Sequence, residues 1–240
     1  MKNLQYLLLF FVIVSSAAFA QTTKNTTAYT QKTPSSDGTG KWYKGREIAP
    51  FMDFAGAAWL ERNTRNKEEN TDRAIARLPL QSNSVIADIG AGTGYYTFRI
   101  ADKVPAGRVY AVEIQDEALA YLKNRAGQRN LKNVTVIKGA DKSPNLPVNA
   151  IDVVIMVDVY HELSYPSEML QAIHRSLKEG GKLVLLEYRA EDPKVAIKPL
   201  HKMTVEQVNK ELAANRFKLV QKEDFLPMQH YLVYQKQAIK

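Results

Sequence analysis

The stretch V-I-A-D-I-G-A-G-T-G at positions 85–94 constrains the fold more than any other in this chain. Val85 to Ile89 is a short β-rich run, the kind of strand that is buried on both faces of a parallel sheet. It runs into Gly90, Gly92 and Gly94, and a helical pattern opens at Tyr95. Glycines at a strand end let a ligand approach the backbone, because no Cβ intrudes. The helix that follows turns its first N–H groups toward whatever sits there. A dinucleotide fingerprint spaced G-x-G-x-x-G would need glycine or alanine at position 95, where this chain has Tyr95. The spacing is instead G-x-G-x-G, preceded by the acid Asp88.

Downstream, strand-like and helix-like segments alternate. Strands are expected at 109–114, 134–138, 151–157 and 183–188, with helices from Tyr95 to about Lys103 and from Asp116, as N-cap, to about Gln128. Pro166 marks a helix start and Gly180-Gly181 its stop. This alternation predicts a doubly wound α/β sheet. Thr204 with Gln207 three residues on is a capping box for a further helix, and 217–225 and 229–236 read as a terminal hairpin.

The glycine turn with its preceding acid resembles motif I of the class I S-adenosylmethionine-dependent methyltransferases, and the terminal hairpin resembles the end of their sheet. The resemblance implies a seven-stranded, mostly parallel sheet with an antiparallel last strand. It implies S-adenosylmethionine as cofactor, held by Asp88, Gly90, Ala91, Gly92 and Gly94. G-R-E-I-A (45–49) with W-L-E-R (59–62) looks like the N-terminal region of a set of exported bacterial members.

Four stations at strand ends mark the crevice in which an open α/β sheet binds ligands. The glycine turn is the first. Glu113, followed by Ile114, ends the second strand, where an acid can accept both ribose hydroxyls of an adenosine cofactor. Asp141 follows the third strand, where an acid in the resembling family accepts the adenine amino group. The segment D-V-Y-H-E-L, from Asp158 to Leu163, follows the fourth and in that family borders the transferred methyl. Methyl transfer from a sulfonium mainly requires alignment of the acceptor and removal of its proton. His161 is the candidate base, because imidazole titrates near neutral pH. Tyr160 and Glu187 are the other candidates for the acceptor pocket.

The rest of the chain bounds these readings. With 240 residues, 45% of them hydrophobic, it is long enough for one well-buried domain. Lys2, the apolar run Leu7–Val14 and Ala18-Phe19-Ala20 form a signal-peptide pattern over 1–20, too short to span a membrane, so export to the periplasm or medium is expected. Residues 21–40 are rich in Thr and Ser and read as a flexible linker. A methyltransferase domain is expected over 41–240, with a helical N-terminal cap over 41–78 whose charged run from Arg62 to Arg73 is a solvated helix face. The absence of cysteine excludes disulfides and thiolate metal sites. No metal is expected, because H-E-L-S-Y at 161–165 lacks the second histidine of H-E-x-x-H, and His174, His201 and His230 show no ligand spacing. The net charge of +8 is scattered, with no basic run, so nucleic acid is not an expected partner. The chain is short and shows no added recognition module, so a small-molecule acceptor is expected. Export of an enzyme that uses a cytoplasmic cofactor leaves an alternative: a non-catalytic module that keeps the fold and binds S-adenosylmethionine or another adenosine-like ligand.

Overall fold

The computed structural model describes residues 28–238. The expected signal peptide and residues 21–27 lie outside the described residues.

Period-two alternation builds the centre. Along β4 (Val85–Ile89), Ile86 faces one side of the sheet and Ala87 the other. The same split runs along β7 (Ile151–Val157), with Val153 and Ile155 on one face and Val154 and Met156 on the other. It recurs in β8 (Leu177–Tyr188) and in β10 (Gln229–Lys236). Every one of these side chains is buried, so both faces need cover. One face packs on Leu170 and Ile173 of α6 (Pro166–Ser176) and Val208 and Leu212 of α7 (Val205–Ala214). The other packs on Ile75 of α3 (Thr71–Ala76) and Tyr96 and Ile100 of α4 (Tyr95–Ala101).

The strand order is β6-β5-β4-β7-β8-β10-β9, with β5 at Arg108–Glu113, β6 at Val134–Lys138 and β9 at Phe217–Glu223. Pairings from β6 through β8 are parallel, and β10 runs antiparallel to both β8 and β9. This is the seven-stranded sheet the sequence predicts. The chain leaves β4 toward β5 on one side and takes up β7 on the other, so the carboxyl ends of β4, β5 and β7 open the crevice of a topological switch point. Thr204 caps α7 as expected, accepting the Gln207 N–H at 3.1 Å. Among the described residues no helix is long and apolar enough to cross a membrane.

Five expectations need correction. The described part of 21–40 is not a flexible linker: β1 (Tyr29–Gln31) pairs with β2 (Lys41–Tyr43), which pairs with β3 (Arg46–Glu47). Its order comes from tertiary partners that composition does not display. The Tyr29 ring lies 5.4 Å from that of Tyr43 and 5.8 Å from that of Tyr165, and its hydroxyl bonds the Glu168 carboxylate. The cap over 41–78 therefore begins as strands and turns helical only from Phe54, through α1 (Ala57–Leu60), α2 (Arg65–Glu69) and α3. The charged run is not a solvated face, because Arg65 and Glu69 are buried as a pair at 2.8 Å. Gly180 and Gly181 do not stop α6. They sit inside β8, whose register against β7 shifts there. Asp116 is the first residue of α5 (Asp116–Gln128) and Gln115 its N-cap.

Candidate active site

A cleft of about 670 Å³ lies over the carboxyl ends of β4, β5 and β7. Its floor is the glycine turn. Gly90, Gly92 and Gly94 all have positive φ, at 73°, 53° and 80°. At Gly90 a Cβ would stand 2.6 Å from Val159 Cγ2, and at Gly92 one would stand 2.8 Å from Leu60 Cδ1. Gly90 is thus required twice, by its conformation and by the β-branched Val159 beside it, while at Gly92 the positive φ makes the demand. The Gly92 N–H donates to Glu113 Oε2 at 3.0 Å, while Glu113 Oε1 accepts the Ile114 and Gln115 N–H groups at 2.6 and 3.2 Å. Glu113 ties the glycine turn to the end of β5 and still lines the cleft, as do Ile114 and Asp141.

Behind the turn, Asp88 is buried and accepts from Thr97 Oγ1 at 2.6 Å. Burial pushes its carboxyl up to about 6, with the Glu113 carboxylate adding to the effect and the Thr97 hydrogen bonds opposing it. Asp88, Ala91 and Gly94 do not reach the cleft wall; they brace it. Asp158 reaches it in a left-handed conformation, φ 53°. Burial, and then the Glu69 and Glu187 carboxylates, hold its carboxyl well above the usual range. Gln229 Nε2 donates to its Oδ2 at 2.7 Å, and its Oδ1 is buried with no hydrogen-bond partner.

The N-terminal cap roofs this end. Gln115 fixes it, accepting the Phe54 N–H at 2.8 Å and donating to the Met52 carbonyl at 3.0 Å. Trp59 lines the cleft and is 47% exposed. Arg65 and Glu69 line it from below the roof, and Glu69 also accepts from Arg62 at 2.6 Å and from the Tyr188 hydroxyl at 2.8 Å.

The opposite end of the cleft is made of side chains. His161 Nδ1 lies 2.6 Å from Glu187 Oε2, and Glu187 accepts the Tyr160 N–H at 2.8 Å. His161 Nε2 faces His201 Nδ1 at 3.2 Å and Glu162 Oε1 at 3.7 Å. Burial alone would lower the imidazole, but the Glu187 and Glu162 carboxylates outweigh it and push His161 up to about 10. A histidine that keeps its proton at neutral pH is a hydrogen-bond donor, so the role of free general base does not fit this arrangement. Tyr160 and Glu187 are fully buried and do not line the acceptor pocket. The Tyr160 hydroxyl donates to Glu211 at 2.8 Å, on the far side from the cleft. Arg46 forks onto the same Glu211 at 2.8 and 3.0 Å and donates to the His161 carbonyl at 2.9 Å.

Sequence reasoning missed Arg65, Glu69, Gln115 and His201. Gln115 follows Glu113 by two residues and could have been flagged from that station. The others arrive from remote segments, and no local pattern signals them.

A family model described as "Methyltransferase domain" matches residues 80–232, more than half of the chain. A tRNA U34 carboxymethyltransferase of Desulfotalea psychrophila is 32% identical over 145 residues, 60% of this chain and 42% of that protein. A demethylmenaquinone methyltransferase of Geobacillus is 29% identical over 114 residues, 47% of this chain and 49% of that one. The chain thus spans less than half the length of these curated relatives. Among solved structures, a SAM-dependent methyltransferase from Aquifex aeolicus superposes with a TM-score of 0.72 at 22% identity, covering 77% of this chain and 98% of that one. The cyclase SpnF matches with a TM-score of 0.58 at 26% identity, covering 65% and 58%. The cleft fits S-adenosylmethionine: Gly90 and Gly92 bring bare backbone to its wall, the Glu113 carboxylate stands beside them, and Asp158, with one oxygen lacking a hydrogen-bond partner, lines it too. The chain belongs to the methyltransferase domain family, and S-adenosylmethionine is its cofactor.

Proposed function

We propose that this protein transfers a methyl group to a small-molecule acceptor, outside the cytoplasm. The observation that carries the reading is the single cleft that joins the glycine turn, Glu113, Asp141 and Asp158 at one end to His161, Glu162 and His201 at the other. In this reading Glu113 accepts the ribose hydroxyls, Asp141 the adenine amino group, and Asp158 and the glycine turn hold the methionine part. S-adenosylmethionine, when bound, supplies a methyl already activated on a sulfonium. The protein's own work is to align the acceptor and exclude water, as the roof of residues 50–60 and the loop around Ile197 and Lys198 favour. His161, in the wall at the other end of the cleft, orients the acceptor. A small acceptor is favoured by a cleft of about 670 Å³ with Met52, Leu163, Met169 and Ile197 in its wall, and by the lack of a basic run. Export is favoured by the pattern over 1–20.

Calorimetric titration tests the first step. S-adenosylmethionine and its demethylated product should bind at about micromolar Kd, and NAD should not. Absence of binding in a folded protein would sink the enzyme reading. His161→Ala should cut turnover with a candidate acceptor while sparing cofactor affinity; unchanged turnover removes His161 from the acceptor site.

A further inference from the structure

We propose that His161, Glu162 and His201 form a site for one divalent transition-metal ion at the acceptor end of the cleft. Their facing atoms are His161 Nε2, His201 Nδ1 and Glu162 Oε1. These lie 3.2 Å (His–His), 3.7 Å (His161–Glu162) and 3.5 Å (His201–Glu162) apart. Ligands about 2.0–2.2 Å from a tetrahedral ion stand roughly 3.3–3.6 Å from one another, so the triangle has the dimensions of three corners of such a shell. A proton on one imidazole can link these three groups, and an ion binding here would displace it, leaving two neutral imidazoles and a carboxylate facing the metal. The set of two imidazoles and one carboxylate suits zinc or iron(II) and is a poor match for magnesium or calcium, which prefer oxygen.

The groups behind the ligands support the assignment. A metal-binding imidazole typically donates its other ring N–H to a carboxylate, which fixes tautomer and orientation. His161 has Glu187 on Nδ1 at 2.6 Å, with Glu187 itself held by the Tyr160 N–H. His201 has Asp37 Oδ2 3.8 Å from its Nε2, and that oxygen is buried with no hydrogen bond of its own. Lys198 Nζ holds the other Asp37 oxygen at 2.8 Å. Both histidines therefore present one nitrogen to the common spot and the other to a carboxylate.

His161, Glu162 and His201 all line the cleft, and three protein ligands leave a tetrahedral ion one position that opens into it. An oxygen of the acceptor could take that position, where the ion would lower its pKa. This last step rests on the methyl-transfer reading; metal binding does not.

The test is made without cofactor, so its failure is distinct from failure of that reading. The purified chain is stripped with a chelator, then titrated with Zn2+ by calorimetry and with Co2+ by visible absorption. One ion per chain is expected, with cobalt bands of a four-coordinate site. His201→Ala should abolish stoichiometric binding, and Glu162→Gln, which keeps size and fold, should strip it as well. Glu187→Gln should weaken it about 10–100-fold. His174→Ala, whose ring bonds the Gln237 carbonyl elsewhere, should bind as the parent does. Circular dichroism shows that the variants are folded. No binding, or binding that His201→Ala and Glu162→Gln leave unchanged in folded protein, overturns the proposal.

Discussion

At the cofactor end of the cleft, ten consecutive residues and the close of one neighbouring strand supply almost everything: backbone N–H groups, three left-handed glycines, and Glu113 to stitch them. At the acceptor end no two neighbours suffice. His161 and Glu162 come from the turn after β7, Glu187 from β8, His201 from the loop beyond it, and Asp37 from the N-terminal strap. Arg46 of β3 and Glu211 of α7 brace that turn from behind. The first is a device of backbone geometry, tolerant of what surrounds it. The second is a network of charges whose members each depend on another. Single side chains should therefore matter to stability mainly at the acceptor end and to cofactor affinity mainly at the other.

The largest effect expected is Arg46→Ala. Its fork onto Glu211 is buried on both sides, and its loss leaves a carboxylate with only the Tyr160 hydroxyl and the Gln207 amide. Removing one partner of such a pair costs about 3–5 kcal/mol. Urea unfolding should show this, against less than about 1 kcal/mol for Arg77→Ala at the half-exposed Glu223 pair. Cofactor affinity of the folded fraction should hold. A cost below 1 kcal/mol for Arg46→Ala would mean that the strap merely lies on the domain.

Asp88→Asn probes the cofactor end in the same currency. Asp88 has its folded pKa near 6, above the model-peptide value of 3.8. Between about pH 4 and pH 6 the native state thus keeps a proton that the unfolded chain has lost. Its contribution to stability is full below pH 4 and is lost as pH rises through 6. Two pKa units correspond to about 3 kcal/mol at most. Unfolding free energies across pH 4 to 7 should fall for the parent and stay flatter for Asp88→Asn. Parallel curves would show that Asp88 is hydrated in solution.

Glu113→Ala comes next. Hydrogen bonds to a charged group contribute about 1.5–3 kcal/mol, so S-adenosylmethionine affinity should drop about 10–100-fold. Zinc binding at the far end should be unaffected. A variant that loses both would break the division between the two ends.

The same division explains what could be read from the sequence. Strand, glycine turn and helix at 85–101 are contiguous, so periodicity and spacing expose them, and the buried strands display both faces as unbroken apolar runs. The places of Glu113 and Asp141 on the cleft wall are legible because one ends a strand and the other follows a strand whose position the pattern already fixes. The strap was hidden because Tyr29, Asp37 and Arg46 gain their order from Glu168, Lys198 and Glu211, more than a hundred residues away. His201 lies 40 residues from His161, and only the loop following β8 brings their nitrogens to 3.2 Å. Ligand spacing along a chain finds sites built on one helix; it is blind to a site assembled by two loops.

Gln115 tests whether the cofactor end really is as local as it looks. Its side chain bonds both Phe54 N–H and Met52 carbonyl, so the roof of the cleft is hung on one amide beside Glu113. Each such neutral bond is worth only about 0.5–1.5 kcal/mol net, and water can replace both on a roof whose Phe51 and Trp59 are already half exposed. Gln115→Ala should therefore cost global stability about 1 kcal/mol or less. Its effect should appear instead as faster hydrogen exchange at Phe54 and a cofactor affinity lowered about 5-fold, chiefly through faster release. If the loss instead equals that of Glu113→Ala, roof closure contributes as much to holding the cofactor as the carboxylate does. The cofactor end would then share the acceptor end's dependence on single side chains, because the roof would be part of the site and not a cover over it.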